Sequence, residues 1–270
     1  MSVTYYVGDA RRALNRLDDD SVACVVTSPP YWGRRSYTDL PDEIGRGSLD
    51  DYLDDLVDVF EVVQRKLSSD GLCWLNVGDT AAGSGGAGGD YNVGGRHAGK
   101  PRYRQGDAGI VGHQWCDVPG RLLHRLQDDL GWLCRSQIVW DKGRTRPEDL
   151  GHVRRPGEQH EMIYMLARSA HYVFHHELLV GRGDVWTFPP NRERNGSSAS
   201  FPTELPERCI KLSALGRVLD PFAGSGATLV VAQGYGRDCV GVDIDATQAD
   251  AARDRLGMFL DVVELSSVET

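Results

Sequence analysis

The chain is predicted to fold as an α/β protein with parallel strands, on three observations. Residues 217–220 (Arg-Val-Leu-Asp) run into a glycine turn, residues 221–228, which opens an apolar helix over 229–234 and returns as the strand 239–243. Strand, glycine turn, helix, strand is the unit that lays two parallel strands side by side. A second such unit comes earlier. Apolar residues at three- and four-residue steps (Leu49, Leu53, Leu56, Val59, Phe60, Val63) predict an amphipathic helix over 48–67, between strand-like runs at 21–26 and 71–77. Finally, 270 residues with 40% hydrophobic content can bury a sizeable core, so 1–270 is read as a single domain with insertions.

In chain order, residues 3–7 (VTYYV) form a strand closed by Gly8-Asp9, and 10–17 continue as a short helix that Asp9 either caps or leaves free to face a ligand. The strand 21–26 stops at Pro29-Pro30, which fix φ and cannot donate to a sheet ladder. Ser48 with Asp51 three residues on reads as a capping box for the long helix. Residues 81–112 are rich in Gly, Arg, Lys and Tyr without periodicity, an insertion expected to contact DNA. A helix over 119–130 and a strand over 132–140 follow, then a basic, proline-punctuated loop at 141–160, the second candidate for DNA contact or target recognition. A strand is expected at 161–167, with 170–174 pairing beside it as a hairpin neighbour. Residues 184–188 lead into a polar loop, and 205–215 form a helix.

Composition excludes several classes. No apolar stretch approaches the ~18 residues that a membrane helix needs, and the N-terminus lacks a signal-peptide layout, so a cytoplasmic protein with no membrane partner is expected. A net charge of −9 argues against coating nucleic acid by bulk attraction. The acids are concentrated, however, with ten of them in residues 39–70, while basic residues gather in loops that can grip phosphate locally. Six scattered cysteines read as buried thiols. His171, His175 and His176 have no Cys or carboxylate set at ligand spacing beside them, so no metal is expected.

Two stretches carry chemistry. Thr27-Ser28-Pro29-Pro30-Tyr31-Trp32 holds a hydroxyl, a backbone carbonyl and two aromatic rings rigidly at a strand end. That set suits a flat base bearing an exocyclic amine: oxygens accept from the NH₂ while a ring stacks on the face. The second is the turn at 220–228 with Asp243 at the end of the next strand, the layout for a nucleoside-bearing cofactor. A dinucleotide fingerprint wants a third glycine where this chain has Leu229. An acid at the head of the turn, Asp220, is unwelcome beside pyrophosphate but suits the cationic amino-acid end of S-adenosylmethionine.

TSPPYW followed by DPFAGSG resembles the amino-methylating DNA methyltransferases, which modify the exocyclic nitrogen of cytosine or adenine. The circularly permuted order, catalytic tetrapeptide first and cofactor turn last, resembles their β group. The likeness continues through WLNVGD, GWLCRSQIVWDK, EQHEMIYMLARS, DVWTF and FPTELPERCI. It implies a Rossmann-like S-adenosylmethionine-dependent methyltransferase fold with a mostly parallel seven-stranded sheet and helices on both faces. Carried over by position, it implies Ser28, Pro29, Pro30 and Tyr31 as the catalytic tetrapeptide. Asp220, Phe222, Gly224, Ser225, Gly226 and Thr228 match the cofactor turn, Asp243 the ribose acid, Asp9 the residue near the adenine ring, and Phe201-Pro202 the segment closing over the methionine end. Family members often carry a His just before that pair; here residues 196–200 hold none. Trp32, Arg34, Arg35, Arg102, Arg104, Lys142 and Arg144 are the expected substrate or DNA contacts. Duplex DNA is the expected partner, with a second copy of the chain and cognate restriction or defence proteins as further candidates. Within the resemblance, Ser at the first motif position is commoner among cytosine-N4 enzymes and Asp among adenine-N6 enzymes. The expected activity is therefore cytosine-N4 methylation of DNA by base flipping and direct in-line transfer. Adenine-N6 methylation and a catalytically silent DNA-binding homologue stand as alternatives.

Overall fold

A computed structural model describes residues 1–32, 40, 43–45, 47–82, 114–143, 156–181, 183–191 and 201–265. Arg34, Arg35, Arg102, Arg104 and Arg144, nearly all of the 81–112 insertion and the middle of the 141–160 loop lie outside these residues. The elements are β1 (Val3–Val7), α1 (Ala10–Leu14), β2 (Val22–Thr27), α2 (Leu49–Lys66), β3 (Leu67–Val77), α3 (Val118–Leu130), β4 (Leu133–Asp141) and β5 (His160–Ala167). They continue with β6 (Val185–Thr187), α4 (Glu204–Leu212), β7 (Val218–Asp220), α5 (Ala227–Gly234), β8 (Cys239–Asp243), α6 (Ala246–Leu256) and β9 (Leu260–Glu264).

Among the described residues all nine strands join one sheet, in the order β6-β4-β5-β3-β2-β7-β8-β1-β9. Seven strands were expected. The two further ones are the short edge strands: β6 pairs parallel with β4, and β9 pairs parallel with β1. Every pairing is parallel except those that β5 makes with β3 and β4. Residues 170–174 do not form the expected hairpin partner. Phe174 instead bridges Ser213, and the Val173 N–H donates to the Asp70 carbonyl, 2.9 Å.

Alternating side chains send two apolar layers to opposite faces. Val25, Cys73, Leu75 and Val77 pack under α1, α2 and α3, while Cys24, Val26, Leu72 and Trp74 pack under α4, α5 and α6. The expected capping box is present on α2: the Asp51 N–H donates to Ser48 Oγ and the Ser48 N–H to Asp51 Oδ2. From β2 the chain steps through α2 to β3 on one side, and from β7 it steps through α5 to β8 on the other. The order therefore reverses between β2 and β7, and open α/β sheets form their ligand crevice beyond the carboxyl ends of strands at such a switch point.

Candidate active site

TSPPYW follows β2 and the glycine turn follows β7, so both leave the sheet at this switch point. β2 and β7 are hydrogen-bonded neighbours, with Val25 opposite Leu219. One buried carboxylate ties the two motifs together. Asp220 Oδ1 accepts from Thr27 Oγ1 at 2.7 Å and from the Phe222 N–H at 3.1 Å, and Oδ2 accepts from Thr228 Oγ1 at 2.6 Å. Three of its roughly four acceptor positions are thus filled by its own chain. Burial outweighs these bonds and pushes the Asp220 carboxyl up to about 6.

Asp243, at the end of β8, is likewise pushed up to about 6 by burial. Its oxygens accept the Asp245 N–H at 2.9 Å and the Gly224 N–H at 3.0 Å, leaving acceptor capacity on each. Gly224 sits at φ +49° and faces open space: an added Cβ would come no nearer than 3.9 Å to another atom, Gln248 Oε1. Tyr5 Oη donates to the Gly224 carbonyl at 2.7 Å and fixes the turn from below. Gly226 has φ +80°, and a Cβ there would lie 3.2 Å from that of Ala252, so the turn and α6 pack tightly. Ser225 turns outward, its carbonyl and hydroxyl accepting from Arg255. Phe201 is buried in the apolar layer that also holds Ala223 and Ala227, with Pro202 half-buried beside it.

On the β2 side, Tyr52 Oη donates to the Pro30 carbonyl at 2.9 Å and pins the tetrapeptide to α2. Ser28 Oγ donates to Tyr31 Oη at 3.3 Å, and Tyr31 Oη donates to Glu161 Oε2 at 2.7 Å. The Tyr31 ring lies over Gly78, where a Cβ would fall 2.6 Å from a ring carbon. Pro29 is buried, whereas Ser28, Pro30 and Tyr31 are half-buried.

Three expected contacts are placed differently. Trp32 is 2% exposed, packs in the core layer with Leu49 and Tyr52, and donates its indole N–H to the Gly47 carbonyl, so burial removes it from the cleft. Lys142 is buried and paired with Glu161 at 3.2 Å, not presented to phosphate. Asp9 caps α1 by accepting the Arg12 N–H and binds the Arg11 guanidinium at 2.8 Å. Sequence reasoning gave no role to Thr27, Tyr52, Gly78 or Glu161. Thr27 stood within the quoted hexapeptide, and Glu161 was signalled only as an acid opening an apolar strand.

The donor set fits S-adenosylmethionine: two buried acids and an open glycine backbone, with no basic group in the turn to hold a pyrophosphate. A family model described as DNA methylase, that of the N6/N4 methyltransferases, matches residues 22–254. The chain belongs to this DNA methylase family. It is 35% identical over 266 residues to the type II methyltransferase M.SmaI of Serratia marcescens, covering 93% of this chain and 89% of that protein. Against M.Cfr9I of Citrobacter freundii the identity is 36%, over 94% and 87% of the two chains. The fold of this DNA methylase superposes on the cytosine-N4-specific PvuII DNA methyltransferase with a TM-score of 0.72 at 17% identity, over 100% of this chain and 89% of that one. A DNA modification methylase of Thermus thermophilus, solved with S-adenosyl-L-methionine, superposes with a TM-score of 0.64 at 26% identity, over 96% and 99%. S-adenosylmethionine is the cofactor of this DNA methylase.

Proposed function

We propose that the protein methylates the exocyclic N4 of cytosine at a specific sequence in duplex DNA, on a base rotated out of the helix. The observation that carries this reading is Ser28, a neutral hydroxyl held within the cleft that Asp220 joins to the cofactor turn. The amine of cytosine is a poor nucleophile because its lone pair is delocalised into the ring. Ser28 Oγ and the Pro29 carbonyl accept its two hydrogens, which localises the lone pair on nitrogen and aims it across the cleft. The Tyr31 ring stacks on the extruded base.

When bound, S-adenosylmethionine supplies an electrophilic methyl on a sulfonium. Asp243 accepts from its ribose hydroxyls, the Gly224–Gly226 backbone lets it approach closely, and Asp220 sets negative charge beneath its ammonium end. Phe201 and Pro202 flank that end. Carbon-5 methylation of cytosine would demand a thiolate nucleophile. All six cysteines are free thiols, and burial pushes the one nearest the tetrapeptide in sequence, Cys24, up to about 11, so it stays protonated at neutral pH. The relatives' type II names support a cognate restriction enzyme as biological partner.

The test is incubation with labelled S-adenosylmethionine and unmethylated mixed-sequence DNA, digestion to nucleosides and identification by mass. N4-methylcytosine is the expected product. N6-methyladenine would overturn the choice of base, and no transfer to DNA would overturn the function.

A further inference from the structure

A buried charge pair stands behind the tetrapeptide. Lys142 Nζ and Glu161 Oε1 are 3.2 Å apart, and each side chain is only 7% exposed. So far from water, each charge is sustained by the other. Glu161 turns its second oxygen to Tyr31, whose phenol donates to Oε2 at 2.7 Å, and Tyr31 Oη accepts in turn from Ser28 Oγ at 3.3 Å. The donors therefore run one way, Ser28 to Tyr31 to Glu161, with Lys142 holding the far end. The fold brings these parts together from distant segments. Trp140 is opposite Glu161 in the β4–β5 ladder, and the Lys142 N–H continues the pairing to the Gln159 carbonyl at 2.9 Å. Gly78, just past β3, leaves room for the Tyr31 ring to cross to Glu161.

We propose that Glu161 is a positioning residue for methyl transfer. Acting through Tyr31, it draws the Ser28 hydroxyl hydrogen away from the substrate and leaves the Ser28 lone pairs facing the amine. A serine hydroxyl is donor and acceptor at once, and its rotor settles according to its partners. An ionised Glu161 polarises the Tyr31 phenol, makes its oxygen the better acceptor for Ser28, and so strengthens Ser28 as an acceptor for the NH₂. Lys142 keeps Glu161 ionised. This inference rests on the preceding assignment of Ser28 as the amine acceptor.

The test compares the full-length protein with Glu161→Gln, Tyr31→Phe and the double variant. One round of methyl transfer is timed with enzyme in excess over unmethylated DNA, and the dissociation constants for S-adenosylmethionine and DNA are measured separately. Each single variant is expected to slow transfer about tenfold, as removal of a hydrogen bond to a charged group does. Both dissociation constants should stay within about twofold, and the double variant should be no slower than the singles, because both changes break the same chain. Tyr31→Phe retains the stacking ring, so lost stacking does not account for its effect. If Glu161→Gln fails to fold beside an unpaired Lys142, Glu161→Gln with Lys142→Met removes both charges and takes its place, with the same expected rate. The inference is overturned by an unchanged rate in a folded Glu161 variant, by single losses that multiply in the double, or by weakened DNA binding at full rate. Failure of the parent reading looks different: the wild type transfers no methyl to DNA, or Ser28→Ala transfers at full rate.

Discussion

Asp220→Asn separates the two roles given to the buried carboxylate, that of a bolt between motifs and that of a charge under the cofactor. The folded protein holds the Asp220 proton up to about pH 6, against an ordinary value of 3.8. Between those values the unfolded chain binds fewer protons than the folded one, so stability falls as pH rises through the window. At ~1.4 kcal/mol per pH unit the loss is about 3 kcal/mol, complete by neutral pH. An asparagine carries no such cost. Its carbonyl can keep the Thr27 and Phe222 bonds, and Thr228 Oγ1, already 3.4 Å from the Val26 carbonyl, can donate there while accepting from the new amide. The assay is urea unfolding of both proteins at about pH 4 and pH 7. The variant should gain about 3 kcal/mol relative to wild type across that interval, while S-adenosylmethionine binding weakens. Asp243 titrates in the same window in both proteins and largely drops out of the difference. A difference that stays flat with pH, or moves in favour of wild type, would refute the reasoning.

Other expectations follow from single contacts. Gly78→Ala places a Cβ 2.6 Å from the Tyr31 ring, so the ring must move off Glu161. Methyl transfer should fall by at least about tenfold, the cost of a bond to a charged acceptor, with cofactor affinity unchanged by calorimetry. Gly226→Ala puts a side chain at φ +80° against Ala252; a loss of about 1–3 kcal/mol in unfolding free energy is expected, together with weaker cofactor binding. Ser48→Ala removes one half of the α2 capping box and should cost about 1 kcal/mol in unfolding free energy without slowing methyl transfer.

The central architecture was legible because strong periodicity marks it. The two strand–helix–strand units became β2-α2-β3 and β7-α5-β8, and the capping box at Ser48 formed as its spacing implied. The sheet edges were not legible. β6 has three residues and β9 five, and such short runs become strands only because β4 and β1 offer free edges to pair with. Likewise 170–174 has strand-like composition, yet Phe174 finds its partner at Ser213, beyond any local pattern. In the site, the residue types at 28–31 and 220–228 named themselves by their chemistry. What escaped was the support behind them. Lys142 looked like a loop cation because its partner Glu161 lies across the β4–β5 turn, and Trp32 looked like part of a base pocket because sequence does not show which way an indole turns.

The central claim is that one cleft at the β2–β7 switch point holds the methyl donor against Ser28. A crystal structure of the protein with bound S-adenosylmethionine tests it most directly. The sulfonium methyl is predicted to point toward Ser28 Oγ across a gap the width of one base, with the ribose on Asp243 and the ammonium over Asp220. A cofactor bound elsewhere, or a methyl directed away from Ser28, would contradict it.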